Sequence, residues 1–265
     1  MVEVSTFKLL NDLYSFSQEL KFPEPLLVGG TARDLYINGK IDQNPDFSFE
    51  GDFDLTCNDG GKSCLLGLMF AVKNNFSFKY HRNSHIAVFL SHDKFDFSSG
   101  FMSDRVKETM EITDKKVLEV YSRDFTINTL HLNFVTKKFI DYTGKAYQDL
   151  RERKVRAMST PEIIFSDNPK RSMRAIYLAS KLGFEVEQNI IDYIANNSVL
   201  FGDLFTKERK HMTDLLSKSL KYDEPKTMKF MEETGLFRYP PLVGRYKETL
   251  IKNNLLSRYL VQNEK

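Results

Sequence analysis

A glycine pair directly behind a short apolar run is the feature that most limits how this chain can fold. The run is Leu26-Leu27-Val28 and the pair is Gly29-Gly30, followed by Thr31-Ala32-Arg33-Asp34. Glycine has no Cβ, so the backbone can turn with positive φ and another group can approach it closely. The pattern predicts a strand over 26–29 that enters a glycine turn, and a helix over 31–39.

Two aspartates one residue apart, Asp52 and Asp54, follow in a strand predicted over 52–57. Alternate residues of a strand share a face, so both carboxylates would lie on one side, with Phe53 and Leu55 turned to the core. Solvated surface aspartates are one interpretation of such a pair. The other is a cation held between two like charges, and these hard oxygen ligands suit Mg²⁺ or Mn²⁺. Together with glycines that admit phosphate oxygens, the pair predicts a nucleoside triphosphate site.

Composition sets broad limits on the class of protein. The chain has 265 residues, 41% of them hydrophobic, which allows one large domain or two small ones. It contains no apolar run of 18 residues and no N-terminal secretory pattern, so neither a membrane partner nor secretion is expected. Cys57 and Cys64 lack metal-site spacing and are expected to be free thiols in a reducing compartment, the cytoplasm.

Charge is distributed unevenly along the chain. Residues 1–120 carry 13 Lys and Arg against 18 Asp and Glu, whereas residues 121–265 carry 25 against 18. An acidic, metal-binding first part and a basic second part suit an enzyme that acts on nucleic acid. Chance variation in surface charge is the alternative.

The remaining patterns predict an α+β protein with two parts. Asp96 lies between Phe95 and Phe97 in a predicted hairpin, and should face away from both rings. Residues 100–120 are charged and are predicted to be irregular. We therefore expect an α/β head over 1–150, with a mixed sheet and flanking helices, and an all-helical part over 151–265. Further predicted segments are helices over 5–20, 62–74, 168–182, 187–196, 206–220 and 225–234, a loop over 40–50, hairpin strands over 86–90 and 94–97, and a strand pair over 130–135 and 138–142.

Six segments in a fixed order carry a family resemblance. Two are the glycine turn and Asp52-Phe53-Asp54. The others are Ser122-Arg123-Asp124-Phe125-Thr126-Ile127-Asn128-Thr129-Leu130, Asp141-Tyr142-Thr143-Gly144 with Asp149-Leu150, Asn168-Pro169-Lys170-Arg171-Ser172-Met173-Arg174-Ala175, and Thr206-Lys207-Glu208-Arg209. In this order they resemble the class II tRNA nucleotidyltransferase and poly(A) polymerase family, of the polymerase-β nucleotidyltransferase superfamily.

The resemblance implies a role for each site residue. Asp52 and Asp54 are similar to the metal-binding carboxylates, and Asp96 to a third carboxylate that orients the primer 3′-hydroxyl and takes up its proton. The nucleotide-binding residues implied by the resemblance are Gly29, Gly30 and Arg33 at the triphosphate, Arg123 and Asp124 near ribose and phosphates, and Asn168, Arg171 and Arg174 at the incoming base.

The chain departs from the family pattern at four places. The Arg-x-Glu that usually follows the strand of the third carboxylate is not found in residues 98–110. The base-reading segment usually has Asp where this chain has Asn168, and an amide offers a donor as well as an acceptor, which leaves selectivity for CTP and ATP open. Ser122 stands where an arginine is usual. The C-terminal part is short for the family, so a protein partner that replaces the missing tail is a further expectation.

The predicted activity is metal-dependent, template-independent addition of nucleotides to an RNA 3′ end, with release of pyrophosphate. The expected partners are ATP, CTP and a tRNA 3′ end, with CCA addition or repair as the product. Poly(A) polymerase-type tailing is the alternative, because the two activities share these motifs. A non-catalytic RNA-binding relic and transfer to a non-RNA acceptor are rival interpretations. Among the minor features, Asp141 and Gly144 are expected to form a turn, and Thr206 to cap the helix that contains Arg209.

Overall fold

The computed structural model describes residues 6–39, 52–57, 60–81, 85–89, 94–98 and 103–263. Contacts within the chain divide it into two compact units, Met1–Leu150 and Arg151–Lys265. The predicted loop over 40–50 and the hairpin turn at 91–93 lie outside the described residues. In the part of the chain that is described, no helix combines the length and apolar character needed to cross a bilayer.

The first unit is built on a seven-stranded mixed sheet with the order β3-β4-β5-β2-β1-β6-β7. Only β2 and β5 pair in parallel; the other neighbours are antiparallel. The predicted pairings of the hairpin and of β6 with β7 are confirmed, whereas β3 was not predicted. The strands are β1 (Leu26–Val28), β2 (Asp52–Thr56), β3 (Ser77–His81), β4 (His85–Phe89), β5 (Lys94–Ser98), β6 (His131–Asn133) and β7 (Lys138–Ile140).

Helices cover this sheet and supply its core contacts. An added Cβ at Gly67 would meet the Phe97 ring at 2.6 Å, so glycine there lets a helix lie directly on β5. Another helix begins at Gly29, two residues before the predicted start, because the glycine turn itself is helical. The helices are α1 (Thr6–Glu19), α2 (Gly29–Asn38), α3 (Gly60–Asn74), α4 (Asp104–Met110), α5 (Lys115–Tyr121) and α6 (Lys145–Glu152).

The prediction that residues 100–120 are irregular was wrong, because α4 and α5 lie there. Each begins at a side-chain cap: the Ser103 hydroxyl accepts from the Val106 amide, and Asp114 accepts from two amides of the next turn. Such caps are worth about 1 kcal/mol each. Val106 and Leu118 are buried, so a few apolar anchors and two caps hold a mostly charged segment in helical form.

The second unit is helical apart from a two-stranded parallel ladder, which the prediction of an all-helical part did not include. The predicted helix over 168–182 is confirmed but begins only at Arg171, because Asn168 leaves helical geometry at the end of a preceding helix that was not predicted, and Pro169 follows. The ladder is β8 (Lys154–Val155) with β9 (Glu185–Val186), and the helices are α7 (Pro161–Asp167), α8 (Arg171–Leu182), α9 (Gln188–Asn196), α10 (Ser198–Gly202), α11 (Leu204–Lys207), α12 (Arg209–Tyr222), α13 (Glu224–Glu233), α14 (Gly244–Lys252) and α15 (Leu256–Asn263).

The minor predictions had mixed outcomes. The Asp141 carboxylate accepts from the Thr143 and Gly144 amides, which confirms the turn. Thr206 does not cap α12: it lies inside α11, and α12 begins after Glu208, which makes no side-chain cap hydrogen bond.

Candidate active site

On β2 and β5, the acidic and the apolar side chains lie on opposite faces of the sheet, as predicted. Asp54 is exposed, whereas Phe53 and Leu55 on either side of it are buried. On β5, Asp96 is half-buried between the fully buried Phe95 and Phe97. The sheet therefore keeps its aromatic face in the core and presents both carboxylates on the other face.

Parallel pairing of β2 with β5 brings two predicted site residues together. Asp54 is the register partner of Asp96, and neighbouring strands lie about 4.8 Å apart. Asp52 is the register partner of Lys94, and its side chain lies outside the described residues. The Lys94 ammonium lies 3.3 Å from the Asp96 carboxylate and offsets part of its charge.

The glycine turn approaches the same carboxylate. Gly29 has φ of +71°, and a Cβ added there would lie 3.1 Å from Asp54 Oδ2 and 3.6 Å from Arg123 Nη1. Gly29, Asp54 and Arg123 are thus brought to one place. At Gly30 an added Cβ would lie at an ordinary 3.6 Å from the Arg33 guanidinium, so close packing alone does not demand glycine there.

A buried acid holds Arg123 in position. Arg123 Nη2 donates to Glu119 Oε1 at 3.2 Å, and the Thr56 hydroxyl donates to the other oxygen of Glu119 at 3.2 Å. Arg123 Nε is buried and has no hydrogen-bond partner among the described residues. Glu119 was missed in sequence reasoning because it lies in the segment predicted to be irregular.

Arg33 and Asp124 lie in one buried hydrogen-bonded chain. Arg33 is 2% exposed; its Nε donates to Asp34 at 2.7 Å and its Nη1 donates to Asn128 Oδ1 at 2.5 Å. The Asn128 amide donates to Asp124 Oδ1 at 2.9 Å. This chain ties α2 to the 3-10 turn Thr126–Asn128. In this arrangement Arg33 and Asp124 both stabilise the contact between α2 and the 3-10 turn. Asn128, which joins them, was not singled out in sequence reasoning.

His131 is a buried neutral imidazole on β6. Burial, and after it the positive charge of Arg123, lower the pKa of His131 to about 3. Its Nδ1 lies 2.9 Å from the Thr129 carbonyl oxygen, a contact in which Nδ1–H donates, while Nε2 has no hydrogen-bond partner among the described residues. His131 is the register partner of Val28, the residue before the glycine turn.

The predicted base-reading residues lie at the junction of α7 and α8. Asn168 ends α7, and its Oδ1 accepts from the Lys170 amide at 3.1 Å. Arg171 is buried, and its Nη1 donates to the Ile164 carbonyl and to Asp167. Arg174, one turn further along α8, is exposed. The second unit therefore separates these residues into two that are tied to the junction and one that faces solvent.

The donor set in the head suits a hard divalent cation. Asp54 and Asp96 supply oxygen ligands from adjacent strands. No group of three or more His, Cys, Asp or Glu is arranged to hold a metal among the residues that were searched, which do not include the side chain of Asp52.

A mixed sheet with carboxylates on adjacent parallel strands beneath a glycine turn defines a nucleotidyltransferase head. Comparison with known proteins agrees: residues 26–156 match the family described as the Poly A polymerase head domain. This stretch belongs to that family.

Relatives extend the similarity into the second unit. The chain is 32% identical over 254 residues to the A-adding tRNA nucleotidyltransferase of Geobacter sulfurreducens, an alignment that covers 90% of this chain and 26% of the relative. It is 27% identical over 193 residues to Poly(A) polymerase I of Escherichia coli O157:H7, covering 68% of this chain and 39% of that protein. The chain thus spans well under half the length of these two relatives.

Solved structures share the fold. The Thermotoga maritima CCA-adding enzyme, solved in complex with tRNA, superposes with a TM-score of 0.61 at 22% identity. The superposition covers 87% of this chain and 51% of the other. At this level of identity the likeness establishes the fold alone.

Proposed function

We propose that this protein transfers nucleotides from nucleoside triphosphates to the 3′ end of RNA without a template and releases pyrophosphate, with the tRNA 3′ end as substrate. The observation that carries the proposal is the register pairing of Asp54 with Asp96 next to the bare α-carbon of Gly29. Asp54 is exposed at the surface of the sheet, so a cation and a phosphate can reach it from solvent.

Asp52 and Asp54 are the residues that would hold a divalent cation, Mg²⁺ or Mn²⁺. When bound, such a cation neutralises charge on the phosphates and on the leaving pyrophosphate during in-line attack. Asp96 would orient the primer 3′-hydroxyl and accept its proton, and its register pairing with Asp54 supports this role.

The glycine turn and Arg123 would bind the triphosphate. At Gly29 a phosphate oxygen can approach the backbone without meeting a Cβ, and Arg123 Nη1 lies at the same place. Because Glu119 already holds Arg123 Nη2, the guanidinium is oriented before substrate arrives. In this proposal Arg33 and Asp124 act indirectly: their hydrogen bonds to Asn128 hold α2, which begins with the glycine turn, against the 3-10 turn.

The second unit would select the nucleotide and bind the RNA. Asn168 and Arg171 remain the proposed base readers, and Arg174 a contact to the nucleotide. Because the Geobacter sulfurreducens relative is an A-adding enzyme, addition of the terminal A alone is one specific product that we propose. The similarity to Poly(A) polymerase I supports poly(A) tailing as a second candidate activity. Free Cys57 and Cys64 suit the reducing cytoplasm.

The experiment measures incorporation of each labelled nucleoside triphosphate onto three RNAs: tRNA lacking CCA, tRNA ending in CC, and an unrelated RNA. Each reaction is run with Mg²⁺ and with a chelator. Three residues added to the first tRNA indicate CCA synthesis, and a single A added to the second alone indicates A addition. A long A tail on any RNA indicates tailing. If no RNA is extended in Mg²⁺, the proposal is rejected for the chain acting alone.

The carboxylate assignment is tested with Asp54→Ala. We expect incorporation to fall by at least about a thousandfold, because phosphoryl transfer depends chiefly on electrostatic stabilisation. RNA binding should be unchanged. Asp12→Ala is the matched control, since it removes an exposed carboxylate that pairs with Lys8 on the surface of α1. Normal incorporation by Asp54→Ala would reject the metal assignment.

A further inference from the structure

The exposed sides of α8 and α12 carry two rows of cationic and aromatic side chains. The row of α8 begins just before the helix at Lys170 and continues with Arg174 and Tyr177. The row of α12 is His211, Lys218 and Tyr222. Residues spaced by three, four, seven or eleven lie on one side of a helix, so each row follows one side of its helix as a stripe. On α12, Asp214 and Leu215 occupy the turn between His211 and Lys218.

The two stripes lie side by side. Near the start of both helices, Lys170 Nζ is 3.7 Å from Glu208 Oε1, and further along the rings of Tyr177 and Tyr222 meet edge to face with centroids 6.1 Å apart. Burial lowers the pKa of His211; Lys170 and Arg174 lower it further, whereas Glu208 and Asp214 raise it, so His211 lies among charged residues of both helices. We name these two stripes and the first turn of α12 the α8–α12 surface.

Several cations of this surface are not neutralised. Within the part of the chain that the structure describes, Arg209, Lys210 and Lys218 make no ion pair. Glu208 is engaged by Lys170, which leaves Asp214 as the opposing carboxylate near the first turn of α12. A shallow depression of about 390 Å³ is lined by Lys207, Glu208, Arg209, Lys210, His211 and Asp214. Unpaired cations around a depression suit an extended anionic ligand.

Tyr177 and Tyr222, at one end of the surface, indicate which class of anionic ligand it binds. Tyr222 is 52% exposed although its ring contacts Tyr177, so one face of the ring remains open to solvent. Cations that follow a strand's phosphates, combined with an exposed ring on which a base can stack, are typical of single-stranded nucleic acid sites. Duplex recognition uses phosphates and groove contacts and does not need an exposed ring.

We propose that the α8–α12 surface binds the single-stranded 3′ segment of the RNA substrate, with phosphates at Lys210 and Lys218 and a base stacked on Tyr222. The inference rests on the proposed function for the nature of the RNA. It adds contacts on α12, at Lys210, Lys218 and Tyr222, to the proposed base readers at the junction of α7 and α8.

The test measures binding of a fluorescent single-stranded RNA of twelve nucleotides and of a hairpin without overhang, with neither triphosphate nor metal present. The whole chain is used at several salt concentrations. The variants are Tyr222→Ala with Tyr222→Phe as its control, and Lys218→Gln with Lys247→Gln as its control. Lys247 is an exposed lysine on α14 and belongs to neither stripe. Thermal unfolding of each variant verifies folding.

We expect Tyr222→Ala to weaken single-strand binding about tenfold and Tyr222→Phe to preserve it, because the ring provides the stacking. Lys218→Gln should reduce the slope of log affinity against log salt by about 0.7, the value for one phosphate of a single strand. Folded Tyr222→Ala and Lys218→Gln variants that bind like the wild type would overturn the proposal, as would losses confined to the hairpin. Because no catalysis is measured, this result is independent of whether nucleotides are incorporated.

Discussion

Gly29 has two separate reasons to be glycine. Its φ of +71° is strained for any residue with a Cβ, and that Cβ would press on the carboxylate of Asp54. Gly39, at the other end of α2, has φ of +58° but nothing within 4 Å of an added Cβ. A side chain at Gly39 would therefore cause backbone strain alone, whereas one at Gly29 would cause the same strain and would also contact Asp54.

Alanine at these two positions separates fold from function. We expect Gly29→Ala and Gly39→Ala each to lose roughly 1–2 kcal/mol of unfolding free energy, because both place alanine in the left-handed region. Only Gly29→Ala should also lose triphosphate binding, since its methyl group displaces Asp54. Thermal unfolding and nucleotide-binding titration of both variants check this. Equal nucleotide binding by the two would remove Gly29 from the proposed site.

His131 predicts a specific acid sensitivity. Its pKa of about 3 in the folded protein lies below its unfolded value near 6.5, so the unfolded chain binds the extra proton first. Stability is therefore lost as pH falls from about 6.5 towards 3, at up to about 1.4 kcal/mol per pH unit from this residue. Denaturant unfolding at pH 7 and pH 5 should show a smaller loss for His131→Phe than for the wild type. Equal losses would mean that His131 titrates normally.

At the scale of elements, the junction of α7 and α8 decides what Asn168 and Arg171 can reach. Asn168 ends one helix, Pro169 prevents its continuation, and the buried Arg171 guanidinium ties the new helix to the carbonyl of Ile164. The resemblance placed both residues at the incoming base. The structure adds that they belong to a constrained turn rather than to one continuous helix.

Substitution at the junction tests nucleotide selection. In Asn168→Asp the acceptor that receives the Lys170 amide is kept, while the amide donor is lost. We expect this variant to discriminate more sharply for ATP and CTP over UTP and GTP. A carboxylate accepts from the amino groups at adenine C6 and cytosine C4, and it cannot donate to the carbonyl oxygens that guanine and uracil carry at those positions. Competition between labelled triphosphates during incorporation measures the ratio. An unchanged ratio would exclude Asn168 as the base reader.

At the scale of the whole molecule, acidic and basic residues are divided between the two units. The head places its carboxylates on one face of the sheet, whereas the second unit carries the unpaired cations of the α8–α12 surface. This division suits a protein that holds a cation and a triphosphate in one unit and an RNA strand on the other. The known relatives are much longer, so the proposed activity concerns the part of such a protein that these two units represent.

The sequence by itself determined the features that depend on neighbours along the chain. The alternation of Asp54 and Asp96 with apolar residues, the glycine turn and the helical second part all follow from local periodicity and backbone preference. Local capping of α4 and α5 was also encoded, at Ser103 and Asp114, but the surrounding charges obscured it.

Only the tertiary structure decided which distant residues meet. The parallel pairing that joins Asp54 to Asp96 is one of several strand orders that the same patterns allow, and local periodicity does not distinguish among them. The burial of Arg33 likewise depends on Asn128, which lies 95 residues away along the chain. A guanidinium is buried only where distant partners satisfy its donors. The position of each arginine in its motif therefore could not show that Arg33 is bonded to Asn128 whereas Arg123 lies near Asp54.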